Sequence, residues 1–311
     1  MKIMVTGALG HIGSRFIHAL KPSHFDEVWL VDNLSTQRYA SLFNLPKGVK
    51  FTFIEDDINS ADLNKYFEGI DVVLHLAAIT DATSSLDKQE LVERVNFHGT
   101  EKVAHACIKN DCKLIFPSTT SVYGTQDEIV DERCSIEQLK PQSPYADSKL
   151  KAEQLLMRLG QDNKLSFVIC RFGTVFGTST GMRFHTAVNK FIWQACLGKP
   201  ITVWRTALHQ HRPYLDLTDA IRAISFITGR NLFDNNVYNI VTANATVGEV
   251  INIICESIPT VKIEYVDSRI MNQLSYNVSN EKFKEAGFRF TGNLAKGIME
   301  TIKLLNGIRN I

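Results

Sequence analysis

The chain has 311 residues, 44% of them hydrophobic and 22% charged, and its 34 basic and 33 acidic side chains leave a net charge of +1. That is the composition of an ordinary soluble protein, long enough for one large or two modest domains with a real core. The balance of charge, without a basic tail or stripe, argues against nucleic acid as the main partner. No apolar run approaches a membrane span, and no secretory leader opens the chain.

Residues 3–5 are apolar and partly β-branched, and read as a buried strand. Thr6-Gly7-Ala8-Leu9-Gly10-His11-Ile12-Gly13 follows, and then an apolar-periodic stretch through Phe16, Ile17 and Leu20. A strand, a glycine turn and a helix in that order make a diphosphate site, because the backbone approaches the ligand and the helix N-terminus offers unpaired N–H groups. Glycines so spaced also occur in plain tight turns. The next apolar run, 28–31, ends in Asp32, 25 residues beyond Gly7. A carboxylate there accepts hydrogen bonds from an adenosine ribose and repels the extra phosphate of NADP. No Arg or Lys follows until Arg38, so the reading is NAD, with a simple strand-end turn residue as the alternative for Asp32.

Further strands are expected at 51–54, 72–76, 114–116 and 167–170, with helices at about 12–20, 61–67, 90–110 and 146–160. Near-continuous apolar strands alternating with helices imply a parallel sheet covered on both faces. The helix at 90–110 sets Val92, Val95, Val103, Ala106 and Cys107 at intervals that face inward. The six cysteines lack metal-ligand spacing and read as reduced thiols of a cytoplasmic protein, Cys107 and Cys112 being the pair able to meet. No metal site is expected. Beyond about 172 the character changes. A Gly/Thr-rich loop, 173–181, leads to a helix at 186–197, a strand at 201–204 and a polar-aromatic segment, 209–217. Helices at 218–228 and 246–257 flank a strand at 237–240, and another strand at 261–266 precedes helices at 279–286 and 294–306. The expected fold class is α/β: a Rossmann-type doubly wound parallel sheet, 1–172, with a smaller C-terminal lobe, mainly 173–311, some of whose segments, such as 237–240, return to the sheet.

The strongest chemical signal lies at 118–149. The strand 114–116 ends in Pro117-Ser118-Thr119-Thr120-Ser121-Val122-Tyr123-Gly124, and Ser143-Pro144-Tyr145-Ala146-Asp147-Ser148-Lys149 starts a helix. Tyr145 and Lys149, four apart, share a helical face. A phenol with pKa ~10 is a poor base at neutral pH. An ammonium beside it and a cationic nicotinamide ring favour the phenolate, which then takes a proton from a sugar hydroxyl. Ser118 and Thr119 leave the end of a central strand, where substrates bind in such sheets. Thr119 is the donor expected to hold the reacting oxygen. A packed tyrosine beside a solvated lysine is the plain alternative.

These motifs resemble the nucleotide-sugar epimerase/dehydratase group of extended short-chain dehydrogenases/reductases. The match runs through the glycine turn, Asp32-Asn33-Leu34-Ser35, Asp57-Ile58, Leu74-His75-Leu76-Ala77-Ala78, Asn96 with Gly99-Thr100, Ser118 to Gly124, Tyr145 to Lys149, Arg171 to Gly177 and His211 to Asp219. The resemblance implies a tightly held NAD and a nucleoside-diphosphate sugar, most often a UDP-sugar, bound by the second lobe. Gly7, Gly10, His11, Ile12, Gly13, Asp32 and Asn33 would hold the cofactor, with Asp57 and Ile58 by the adenine. Leu76, Ala77, Ala78 and Asn96 would line the middle of its trough, and Ser118, Tyr145 and Lys149 the reacting end. Thr119, Thr120, Ser121, Tyr145, Thr174 and Asn189 would meet the substrate, and Arg212 and Arg269 are candidates for its diphosphate. Family members pair through two helices per subunit, so a homodimer through 90–110 and 146–160 is expected.

Enzymes of this group oxidise a sugar carbon, usually C4, and differ in the fate of the keto sugar. Its dehydratases carry an Asp-Glu pair after the catalytic Thr, where this chain has Thr120 and Ser121. UDP-glucuronate decarboxylases keep a Glu at the second position, so Ser121 weakens that alternative too. Epimerisation at C4, with Tyr145 as acid and base, is the reading that remains, beside a non-enzymatic NAD-binding scaffold that the presence of Tyr145 and Lys149 opposes. Thr174 and Phe176 stand where Asn and Tyr are common, so the sugar's pose is expected to differ. Arg183 and His185, in an unusually aromatic and basic stretch, are candidates for contact with a carboxylated or aminated sugar, or for a lid or subunit surface.

Overall fold

Runs of Val, Ile, Leu and Phe build the centre of the molecule, a sheet of seven parallel strands. The computed structural model describes residues 1–81, 84–126, 129–162, 164–267, 275–305 and 307. Its strands are β1 (Lys2–Thr6), β2 (Glu27–Asp32), β3 (Phe51–Glu55), β4 (Val72–His75), β5 (Lys113–Thr119), β6 (Ile129–Val130), β7 (Phe167–Phe172), β8 (Thr174–Phe176), β9 (Ile201–Trp204), β10 (His211–Asp216), β11 (Val237–Ile240), β12 (Ala243–Thr246), β13 (Ile263–Val266) and β14 (Asn277–Val278). Its helices are α1 (His11–Ala19), α2 (Leu63–Tyr66), α3 (Gln89–Val92), α4 (Gly99–Asn110), α5 (Pro144–Gln161), α6 (Ala187–Cys196), α7 (Leu217–Arg230), α8 (Val247–Ser257), α9 (Glu281–Glu285) and α10 (Leu294–Leu305).

The large sheet runs β3-β2-β1-β4-β5-β7-β11, every neighbouring pair parallel. One face is covered by α1 and α7 through Phe16, Ile17, Ile221 and Ile224. The other is covered by α4 and α5 through Val103, Cys107, Ala152 and Leu156. Burial on both faces is why these strands read as unbroken apolar runs. The chain leaves β1 toward β2 and β3, then returns to lay β4 on the other side of β1. Such a reversal opens a crevice at the carboxyl ends of the strands, and the glycine turn lies directly at it.

Val95 departs from expectation. Residues 93–98 form a wide i→i+5 turn between α3 and α4, which shifts the helical register. Val92, Val103, Ala106 and Cys107 are buried as expected, but Val95 is only half-buried and Asn96 faces fully inward instead.

The later part of the chain builds a second cluster from α6, α8 and α10, with Phe191, Ile192, Val250, Ile254 and Ile298 inside. Beside it lie the sheet β12-β10-β8 and the pair β13-β9. Strand β11 belongs to the large sheet, parallel to β7. Pairing of β14 with β6 brings Tyr276 into a buried cluster with Val122 and Tyr123. Among the described residues no helix is long and apolar enough to cross a membrane, and no group of side chains has the makings of a metal site. All six cysteines are free thiols.

Candidate active site

The glycine turn is shaped by close approach. Gly7 has φ +65°, and a Cβ there would stand 2.6 Å from the Ala77 amide nitrogen. Gly13 packs on the Ala8 carbonyl with no room for a side chain. Gly10 precedes α1 without a side-chain cap, so the first-turn N–H groups of α1 remain for a ligand. Asp32 ends β2 and accepts from Leu9 N at 3.0 Å and Leu34 N at 2.9 Å, which ties the turn to the strand end. A carboxylate has about four acceptor positions, so two remain for hydroxyls.

Asn33 donates to Asp57 Oδ2 at 2.9 Å. Although burial opposes ionisation of Asp57, hydrogen bonds from Asn59 and Asn33 hold its carboxyl below the usual range. Ile58 is buried against Gly99, where a Cβ would meet its Cδ1 at 2.9 Å. The His11 ring donates through Nε2 to the Gly177 carbonyl at 2.9 Å. Burial, reinforced by the Arg183 charge, pushes its pKa down to about 3, so the ring is neutral and its buried Nδ1 is an acceptor with no protein partner.

A chain of buried hydrogen bonds crosses from this turn to the second half of the site. Thr100 Oγ1 donates to the Asn96 carbonyl at 2.6 Å, so at 3.1 Å it must accept from His75 Nε2–H. His75 Nδ1 therefore accepts from Thr6 Oγ1 at 2.7 Å. Burial, with the Lys149 charge, pushes the His75 pKa down to about 3, in keeping with that neutral tautomer. The Asn96 amide grips the backbone of Ile79 twice, accepting from its N–H at 2.8 Å and donating to its carbonyl at 2.9 Å. It also donates to Ser148 Oγ at 3.1 Å. Asn96 thus fixes the segment after Ala77 and Ala78 to the helix that carries Tyr145.

Tyr145 lies in the first turn of α5, which Ser143 caps by accepting from Ala146 N at 3.2 Å and Pro144 starts. Its phenol is hydrogen-bonded to the Thr119 hydroxyl. Burial raises the phenol above its ordinary value, while the Arg183 charge and the bond from Thr119 pull it down. Lys149 makes contacts that the sequence did not reveal. Its Nζ donates to the Pro117 carbonyl at 2.9 Å and stands 4.4 Å from the centre of the Phe116 ring. The i,i+4 spacing puts both side chains on one helical face, and Phe116 and Pro117 of β5 receive the ammonium. Burial pushes Lys149 down to about 7, with Glu153 opposing. Glu153 is itself buried, accepting from Ser118 Oγ and pairing with Arg171 at 2.7 Å.

Thr120 Oγ1 donates to the Phe172 carbonyl and lies 3.3 Å from the Tyr276 hydroxyl, which also meets Ser121. Thr174 sits opposite Tyr214 in the β8–β10 pair. Arg212 Nη2 donates to Gln210 Oε1 at 3.0 Å, and the guanidinium acts electrostatically on Tyr276 and Tyr214. Asn189 is buried, holding Gly177 N at 3.4 Å and the Arg183 carbonyl at 3.1 Å, so its amide closes a loop of its own lobe. Arg269 lies outside the described residues.

The structure adds residues that the sequence did not single out. The loop after β2 contains two left-handed residues, Leu34 (φ 54°) and Gln37 (φ 52°). It folds back so that Arg38 Nη1 stands 3.9 Å from where a Cβ of Gly10 would be. Its six-residue separation from Asp32 gave no hint of this. Tyr276 arrives from 156 residues beyond Thr120, and Glu153, four residues past Lys149, had its spacing as the one available signal.

Residues 3–241 match the NAD dependent epimerase/dehydratase family. An uncharacterized UDP-glucose epimerase of Bacillus subtilis, YtcB, is 32% identical over 264 residues, covering 82% of this chain and 81% of that protein. The UDP-glucuronic acid 4-epimerase of Bacillus cereus, solved with UDP-glucuronic acid and NAD, superposes with a TM-score of 0.86 at 29% identity, over 98% of this chain and all of that one. The UDP-glucose 4-epimerase of Thermus thermophilus, solved with NAD, gives 0.84 at 27% identity over 99% of each chain.

Proposed function

The chain belongs to the NAD dependent epimerase/dehydratase family, and from that premise we propose that it inverts C4 of a UDP-sugar, with Tyr145 as acid and base. It is an enzyme of NAD-dependent nucleotide-sugar epimerisation; the sugar, the carbon and the residue roles are our reading.

The residues present fit the dinucleotide. The glycine turn leaves a cradle that a side chain at Gly7 would fill, and His11 offers an unpaired buried acceptor beside it. Gly7, Gly10, Ile12 and Gly13 would hold the diphosphate, Asp32 and Asn33 the ribose, and Asp57 and Ile58 the adenine. Leu76, Ala77, Ala78 and Asn96 would line the trough, and Ser118 and Lys149 its reacting end. Bound NAD supplies the acceptor, and then the donor, of the hydride.

The chain's own groups do the rest. Thr119 holds the sugar's reacting oxygen and keeps Tyr145 aimed at it. Tyr145 takes the hydroxyl proton as the carbon becomes a ketone, and returns it when the carbon is reduced from its other face. Lys149, held by Pro117, keeps a positive charge beneath the site. Thr174, Asn189 and Arg212 belong to the side of the site that binds the nucleotide sugar, with Arg212 suited to its diphosphate. Residues 1–172 would then act mainly on the cofactor and 173–311 mainly on the sugar.

The observation that carries epimerisation over dehydration is at 120 and 121. Both are hydroxyls, hydrogen-bonded to Tyr276, and neither can act as the acid or base that expelling water requires. A homodimer through segments 90–110 and 146–160 and a cytoplasmic setting complete the reading, the latter supported by six free thiols.

Incubating the purified protein with UDP-glucose, UDP-N-acetylglucosamine and UDP-glucuronate, without added cofactor, tests it. Proton NMR should show one of them converted to an isomer of unchanged mass. Loss of water would restore the dehydratase, and loss of carbon dioxide the decarboxylase.

A further inference from the structure

Residues 177–183 cross from the second lobe onto the glycine turn and are fastened there at several points. Gly177 accepts from His11 Nε2 at 2.9 Å. Gly181 donates to Ser14 Oγ at 2.9 Å and packs against the carbonyls of Leu9 and Gly10, where a side chain would stand 2.7 Å from Gly10 O. Asn189 of α6 holds both ends of the segment, bonding Gly177 N and Arg183 O. Beyond the last anchor the Arg183 side chain turns inward and donates through Nη1 to Thr80, at the other wall of the trough.

The result is a concentration of positive charge that the nearby carboxylates, Asp81 acting on Arg183 and Asp32 on Arg38, only partly answer. Arg183 and Arg38 act on each other as like charges, and both act on His11. The N-terminus of α1 adds a positive dipole end at the same place. Arg183 Nε is buried without a hydrogen-bond partner, as is His11 Nδ1. A buried guanidinium N–H without an acceptor costs free energy. Two guanidiniums that repel one another are stabilised when an anion lies within reach of both, and a fork with one nitrogen already placed suits a phosphate. The segment's anchors on the glycine turn and α1, at Leu9, Gly10, His11 and Ser14, lie on the cofactor's side of the site, whereas Arg212 stands apart with Tyr276 and Tyr214.

We propose that Arg183 is a cofactor-binding residue: the 177–183 strap carries it over the glycine turn, where it closes with Arg38 on the dinucleotide's diphosphate. This rests on NAD being the resident cofactor. It gives the strap a function suited to a reaction that regenerates NAD in place, namely retention of the cofactor between turnovers. The same placement leaves Arg183 facing Tyr145, so closure over the cofactor and the environment of the phenol are set by one side chain.

The test reads cofactor release rather than turnover. Holoenzyme is diluted, and NAD appearing in the filtrate is assayed with time, for wild type, R183Q, R183K and R38Q. UDP affinity is measured on the same samples. Loss of a charge-assisted hydrogen bond should speed NAD release by about tenfold or more in R183Q and R38Q. R183K should be intermediate, and UDP affinity should stay within about twofold. Unchanged NAD release in R183Q, or weakened UDP binding in its place, would overturn the clamp. If R183Q does not fold, R183K and R38Q decide by the same comparison. A wild-type protein that binds no NAD at all would remove the functional reading beneath the clamp, a distinct result.

Discussion

Replacing Lys149 by methionine should stabilise the protein at mildly acid pH while abolishing its activity. Lys149 is 3% exposed, and burial takes its pKa from the ordinary 10.5 down to about 7. The folded value lies below the unfolded one, so between about pH 7 and 10.5 the unfolded chain holds the extra proton. Stability of the wild type therefore rises with pH through that window. Linkage over that shift makes burial of the charged lysine cost on the order of 5 kcal/mol at pH 6, falling by roughly half by pH 9. Methionine fills similar volume without this term. It also loses the bond to Pro117 and the contact with Phe116, but those losses apply at both pH values, so the pH slope isolates the ionisation. Urea unfolding of wild type and K149M at pH 6 and 9, at equal cofactor content, should show the variant's advantage shrinking by a few kcal/mol as pH rises. A constant difference between the two proteins would refute the argument, because it would mean that Lys149 titrates normally.

Y145F should lower kcat by about 10²- to 10⁴-fold with the NAD content of the purified protein unchanged, as read by cofactor release on denaturation. E153Q leaves Arg171 without its buried counter-charge and should destabilise by about 3–5 kcal/mol in urea unfolding. H75F removes the two ring nitrogens that join the Thr6 and Thr100 hydroxyls and should cost about 2–4 kcal/mol at neutral pH. Because burial takes the His75 pKa from 6.5 down to about 3, the unfolded imidazole binds a proton at pH 5.5 that the folded one does not, so wild type loses stability there and the cost of H75F should be about 1 kcal/mol smaller at pH 5.5 than at pH 8.

The sheet was legible because a parallel strand buried on both faces is a solid apolar run, and because each glycine of the turn has one steric job. Strand 237–240 could be read in the same way, although its place beside β7 needed tertiary information. Helical periodicity failed at Val95, since a wide turn changes the angle per residue and delivers Asn96 to the interior. Lys149 and Tyr145 were legible as a pair but not in their contacts. Spacing puts two side chains on one face and says nothing of the carbonyl and ring beneath them. Arg38 was hidden by two left-handed residues that reverse its loop. The strap was hidden by distance, its anchors joining residues 166 and 167 apart in the chain, and Tyr276 is brought to Thr120 by the pairing of two-residue strands that carry almost no local signal.

In the proposed reaction one carbon is oxidised and then reduced from its other face by hydride that never leaves the site. A UDP-sugar deuterated at C4, turned over in ordinary water without added cofactor, tests this most directly. The expected product is a C4 epimer that retains the deuterium at C4, with no solvent hydrogen entering at C4 or C5. Solvent hydrogen at C5, or a product that has lost water or carbon dioxide, would contradict it.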